Sequence, residues 1–151
     1  MAGKCPEGRR HCRCRRRLNG CTGFDGADGV HTHMTNSRLT DPEVLEFRFP
    51  VVLEDFHICR GSGGKGQYSS GGGTERTIRF LEMMDCSILS SHRTIRPFGL
   101  FGGEDGQLGK TEIRRADGTS EGLAGCDQAM LAAGDAVIVT TPTGGGYGRP
   151  R

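Results

Sequence analysis

Gly134-Asp135-Ala136-Val137-Ile138-Val139-Thr140-Thr141 places five β-branched residues in a row behind a Gly-Asp turn. Such side chains are stiff at χ1 and crowd a helix, yet pack well on a pleated surface, so residues 136–141 read as a strand. Working outward, residues 77–83 (TIRFLEM) alternate, with Ile78, Phe80 and Leu81 as inward candidates. Residues 51–59 (VVLEDFHIC) read as a strand that alternates in its second half, and residues 86–90 and 111–115 as shorter ones. Glycine clusters at 61–66, 71–73, 99–106 and 144–148 punctuate the intervals. One short helix is predicted from Asp41, which can cap it. Pro42 suits its first turn, Glu43 and Glu46 sit toward the positive end of its dipole, and Pro50 stops it. The expected fold is mainly β, a loop-rich sandwich or partial barrel with one short helix.

Composition agrees with a thin core. Of 151 residues 26 are Gly and none is Trp, and only 34% are apolar. Glycine raises the entropy cost of ordering a backbone. The formal charge of +2 is unevenly spread. Lys4 and six arginines against Glu7 give residues 1–19 a net +6, leaving −4 for the rest. The first 19 residues read as a disordered basic arm, whose charge alone could attract a polyanion; the body gives no reason to expect a nucleic-acid partner. Cys5, His11, Cys12 and Cys14 do not follow the spacing of a zinc knuckle. Arg, Cys and His codons shifted by one base readily read as Gly, Ala and Thr, so residues 8–17 could be an out-of-frame rendering, which the coding DNA would show. No apolar run approaches a membrane span, and no apolar core follows the N-terminal charges as in a secretory signal. A cytoplasmic location is expected, with the seven cysteines as free thiols.

Chemistry concentrates in residues 31–43, HTHMTNSRLTDPE, entered through GFDGADGV at 23–30. On an extended backbone His31 and His33 project to one face and could share a divalent metal, with Asp25, Asp28 or Asp41 as local third ligands. Either imidazole could instead act as a general base, or simply hydrogen-bond within a loop. Asn36 and Arg38 can orient a carbonyl or carboxylate; equally, Asn36 can cap a turn and Arg38 can pair with Asp41 or Glu43. Residues 61–66 (GSGGKG) fail as a phosphate loop, because Lys65 is followed by Gly66 and no helix opens there. Residues 97–104 (PFGLFGGE) read as a tight loop with buried aromatic anchors. Neither Ser62 nor Ser91 sits in a nucleophile elbow.

From about Gly20 onward the chain resembles the C-terminal part of hydantoinase B/oxoprolinase subunits. The resemblance rests on GFDGADGVHTHMTNSRLTDPEVLE (23–46), GSGGKGQYSSGGG (61–73), FGLFGGEDGQLGK (98–110) and GDAVIVTTPTGGGYG (134–148), in that order. Residues 1–19 are foreign to it, so 20–151 is taken as the family portion. The resemblance implies a fragment of a larger α+β subunit and ATP-dependent opening of 5-oxoproline or hydantoin-type rings, or the carboxylase chemistry of some relatives. It further implies a hydantoinase A-type partner that binds ATP, phosphorylates the amide oxygen and so makes a better electrophile. His31, His33, Asn36 and Arg38 would then lie at or near the site, and His31 and His33 would be candidate ligands of a divalent metal. The larger N-terminal part of such subunits, understood to hold further metal-binding and catalytic residues, is not in the chain. The polypeptide is expected to be inactive alone. The reading without chemistry is a β-rich interaction module.

Overall fold

Ala136–Thr140 forms the middle strand of a five-stranded antiparallel sheet in a computed structural model that describes residues 23–30 and 39–150. In chain order the elements are α1 (Pro42–Arg48), β1 (Val51–Ile58), β2 (Thr74–Phe80), β3 (Met84–Leu89), β4 (Lys110–Arg114), β5 (Ser120–Leu123), β6 (Cys126–Leu131) and β7 (Ala136–Thr140). The large sheet runs β1-β2-β7-β4-β5, and β3 pairs with β6 in a separate antiparallel ribbon. The fold is therefore mainly β, built from open sheets, with one short helix among the described residues. The basic arm expected over residues 1–19 lies outside them.

Register explains the core. Ile78, Val137 and Ile113 stand in one cross-strand row, and Val51 opposes Phe80 at its side. Directly paired residues point to the same face. The ribbon covers that face: Met84, Cys86, Ala129 and Leu131 join the cluster around Val51, Phe80, Ile113 and Val137, with Leu45 of α1 at its margin. Leu131 and Ile113 are fully buried, each contributing about 1.5–3 kcal/mol. The core is as thin as the composition implied.

The helix forms as its sequence directs. Asp41 accepts from Glu43 N at 3.0 Å, Pro42 opens the first turn, and Glu46 Oε1 accepts from Leu53 N at 2.9 Å, tying α1 back onto β1. Two expectations need correction. β2 begins at Thr74 and ends at Phe80, so Leu81 lies in the following turn and is 45% exposed, not inward. Its N–H goes to Pro50 O, one step beyond the Val51–Phe80 pair where the ladder ends. Strands β5 and β6 were also not foreseen. Both are low in β-branched residues and exist through their pairing with β4 and β3.

On the sheet's other face, the register slips between Leu53 and Asp55, leaving Glu54 as a bulged residue of the edge strand. Its carboxylate accepts from Arg79 Nε at 2.6 Å and from Arg114 Nη2. The Arg114 hydrogen bond, with help from Arg79 and against partial desolvation, holds the Glu54 carboxyl below its ordinary value. A depressed folded value contributes stability above the ordinary carboxylate range and loses it as pH falls through the folded one. Between about pH 5 and pH 3 the wild-type melting temperature should therefore fall, and Glu54→Gln should make that fall shallower. Melting curves across the range read this directly; parallel curves would contradict it.

Candidate functional site

Three glycine-rich loops meet beyond the ends of β1, β2 and β7. Tyr68 and Tyr147 exchange backbone hydrogen bonds at 3.0 and 2.9 Å, Gly64 N donates to Gly144 O, and Leu100 N donates to Gly146 O. Glu104 N reaches Lys65 O, and Gly146 N reaches Glu104 O. Backbone packs on backbone here. A Cβ on Gly146 would stand 2.2 Å from Lys65 O, which is why this layer is written in glycine. Ser62 serves the same structure: its hydroxyl donates to Cys59 O at 2.6 Å and accepts from Gly73 N at 3.0 Å. The 61–66 stretch is thus a turn, as read from its missing helix, and not a phosphate loop.

Segment 23–30 lies against this platform. Gly26 N donates to Ser69 O at 2.7 Å and Gly29 N to Gly72 O at 2.9 Å. Asp25 Oδ1 accepts from Ser69 N and Asp28 Oδ1 from Gly72 N, both at 2.7 Å. The two aspartates that stood as local third ligands for a metal therefore each commit one oxygen to docking this segment, while Asp41 caps α1. Val30 and Leu39 bracket the polar motif. His31, His33, Asn36 and Arg38 themselves lie outside the described residues. Among the described residues, no group of three or more His, Cys, Asp or Glu side chains is placed to hold a metal ion. Cys59, Cys86 and Cys126 are free thiols, and burial pushes Cys59 and Cys86 above the ordinary thiol value.

The loop at 97–104 corrects the sequence reading. It is tight, with Gly99 N on Asp105 Oδ1 at 2.8 Å and Phe101 at φ 52°. Its aromatics are not buried anchors, however: Phe98 and Phe101 are 73% and 70% exposed, and Phe101 rests on Tyr147 with centroids 5.0 Å apart. The reason is the glycine packing below. A Cβ on Gly145 would meet Phe98 O at 2.3 Å, so no room remains beneath the loop for a ring. Sequence reasoning also passed over Arg93, whose side chain is largely enclosed between Gly109 and Gly125. Nothing in the surrounding SSHRTIRP marks it as more than loop.

Gly71 holds the docked segment most closely, since a Cβ there would stand 1.9 Å from Ala27 O. Gly71→Ala should cost about 1–3 kcal/mol through overpacking. It should also speed hydrogen exchange at Gly26 and Gly29 ahead of the sheet amides. Unchanged exchange at those two amides would contradict the docking.

A sequence profile described as Hydantoinase B/oxoprolinase matches residues 19–150. The chain is 45% identical over 108 residues to the 5-oxoprolinase of Saccharomyces cerevisiae, covering 71% of this chain and 8% of that protein. Among solved structures it is similar to the ATP-dependent caprolactamase from Pseudomonas jessenii, with a TM-score of 0.64 and 25% identity over 72% of this chain and 20% of that one. It shares its fold with acetone carboxylase, with a TM-score of 0.60 at 18% identity, covering 83% of this chain and 21% of that one. The chain spans about a tenth of the length of the eukaryotic relatives that it matches over most of its own length.

Proposed function

Because the chain belongs to the hydantoinase B/oxoprolinase family, we propose that it forms the C-terminal part of an ATP-dependent cyclic-amide hydrolase that opens a 5-oxoproline- or hydantoin-type ring. One observation carries the reading: the polar motif begins where segment 23–30 is fastened, by two aspartates and two glycine amides, to a backbone-packed platform. A platform of that kind suits positioning, because side chains that do chemistry need a rigid support.

In the proposed reaction a hydantoinase A-type subunit binds ATP and transfers its terminal phosphoryl group to the amide oxygen. This chain's residues act on the activated ring. His31 or His33 takes a proton from the attacking water as its oxygen bonds to the amide carbon. The carbon–nitrogen bond then breaks as the ring nitrogen receives the proton, leaving an acyl phosphate, and a second water hydrolyses that to the carboxylate and inorganic phosphate. Asn36 and Arg38 hold the carbonyl or carboxylate in place. Asp41 works behind them as the helix cap. A divalent metal on His31 and His33 is the second role for the pair, and it would polarise the water or the carbonyl. The described carboxylates do not make a metal site by themselves, so no step here depends on one.

The assembly is proposed to work in the cytoplasm; no helix of the described residues is long and apolar enough to cross a membrane. Carboxylase chemistry is the second reading, favoured by the fold shared with acetone carboxylase. The test is reconstitution of the chain with an A-type subunit and the remainder of a B-type subunit. ATP hydrolysis should depend on 5-oxoproline or hydantoin and should vanish when the chain is left out. Dependence on bicarbonate and a ketone instead would favour the carboxylase. Opening of a lactam by the purified chain alone would contradict a shared site.

A further inference from the structure

Phe56, Arg76, Val139, Thr111 and Leu123 form one cross-strand row through β1, β2, β7, β4 and β5. Their side chains leave the same face of the sheet. Arg93, beyond the end of the ribbon, reaches that row from above: its Nη2 donates to Thr111 Oγ1 at 3.1 Å. Its other nitrogens, Nε and Nη1, are shut off from solvent and have no hydrogen-bond partner. Gly109 makes room for the head, because any Cβ there would fall 1.6 Å from Nη1. The Arg76 side chain has no ion pair or hydrogen bond among the described residues.

The row therefore draws two guanidiniums together with no counter-ion among the described residues. The Cα atoms of Arg76 and Thr111 are two strands apart, about 10 Å, a gap that arginine side chains can close onto one small anion. An arginine does not shed its proton, so an enclosed head with unpaired donors is costly until an anion compensates it. Burial already pulls Arg93 below its ordinary value. Phe56 and Val139 add apolar surface to the same row. Two places along the same face, the side chains of Ile58 and Thr74 lie under Gly29, just before the polar motif.

We propose that Arg76 and Arg93 form a carboxylate-binding pair that favours lactam acids of the 5-oxoproline type over neutral cyclic amides. The proposal rests on the cyclic-amide reading above and deepens it. Carboxylate suits the pair because guanidinium donors match its two oxygens, and 5-oxoproline carries one where a hydantoin ring or a plain lactam does not.

The test follows the arginine side-chain N–H resonances of the labelled full chain at fixed ionic strength. L-5-oxoproline should shift Arg93 Nε–H and the Arg76 side chain saturably, and 2-pyrrolidinone, the same ring without the acid, should not. Arg93 variants risk misfolding, so the informative substitution is Arg76→Gln at a half-buried position. It should raise the 5-oxoproline midpoint about tenfold or more, the loss of one charge-assisted hydrogen bond. An equal midpoint for 2-pyrrolidinone, an unchanged midpoint in Arg76→Gln, or no saturable shift would each overturn the pair. Saturation by inorganic phosphate but not by 5-oxoproline would overturn its assignment to carboxylate. Equal saturation by the acyclic acid N-acetylglycine would support the pair while counting against the cyclic-amide reading.

Discussion

Asp135→Ala is expected to lower the free energy of unfolding by about 3 kcal/mol, the largest stability loss at any single side chain considered. Asp135 is 3% exposed and stands between β6 and β7. Its Oδ2 accepts from Ala132 N and Arg115 Nη1, and its Oδ1 from Ala116 N, all at 2.9 Å. Its main chain closes the same junction, donating to Ala132 O and accepting from Phe80 N. One carboxylate thus fastens the β4–β5 hairpin to the β6–β7 turn, while the main chain of the same residue ties in the end of β2. Alanine removes the one acceptor shared by the Ala116 and Ala132 amides and the Arg115 guanidinium. Arg115 keeps Glu121 at 2.9 Å and stays partly solvated, so the loss comes mostly from the two charge-assisted amide hydrogen bonds. The hydrogen bond from Ala132 N, opposed by burial, holds the Asp135 carboxyl below its ordinary value. By linkage its contribution is complete above the ordinary aspartate range and fades as pH falls through the folded value. The gap between wild type and Asp135→Ala in urea unfolding should therefore be wide at pH 7 and narrower near pH 3. A gap under about 1 kcal/mol at pH 7 would remove Asp135 from that role.

How much was legible follows from which residues carry their own instructions. β7 announces itself because five β-branched side chains behind Gly134 leave a helix little chance. α1 announces itself through Asp41 and Pro42, and the structure honours both. β5 (Ser120–Leu123) and β6 (Cys126–Leu131) carry no such instruction; partners across the sheet make them strands. Leu81 looked inward because alternation was carried one residue past the strand end. Phe98 and Phe101 looked buried because loop aromatics usually find cover, whereas here glycine backbones occupy the space beneath.

The site was legible in a different way. The residues proposed for chemistry, His31, His33, Asn36 and Arg38, are legible by type and by family motif and lie outside the described residues. What the structure adds is their footing. The glycine clusters were read as turns, and the spacing could not show that they pack against one another or that Asp25 and Asp28 spend themselves on docking. Arg76 and Arg93 were illegible because their pairing depends on a register that brings Arg76, Val139 and Thr111 into one row.

The central claim is that this chain presents its imidazoles, on a glycine-built support, to a reaction shared with other polypeptide. The kcat of ring opening in the reconstituted assembly tests it most directly when wild type is compared with the double variant His31→Ala/His33→Ala. A positioned general base accounts for about 10²–10⁴ in rate. The variant should therefore lose at least a hundredfold in kcat, about the low end of that range, while still associating with its partners. Gly26 and Gly29 amides should remain protected, showing that the docked segment is intact. Wild-type kcat in an assembly that contains the double variant would contradict the claim and leave the chain a scaffold.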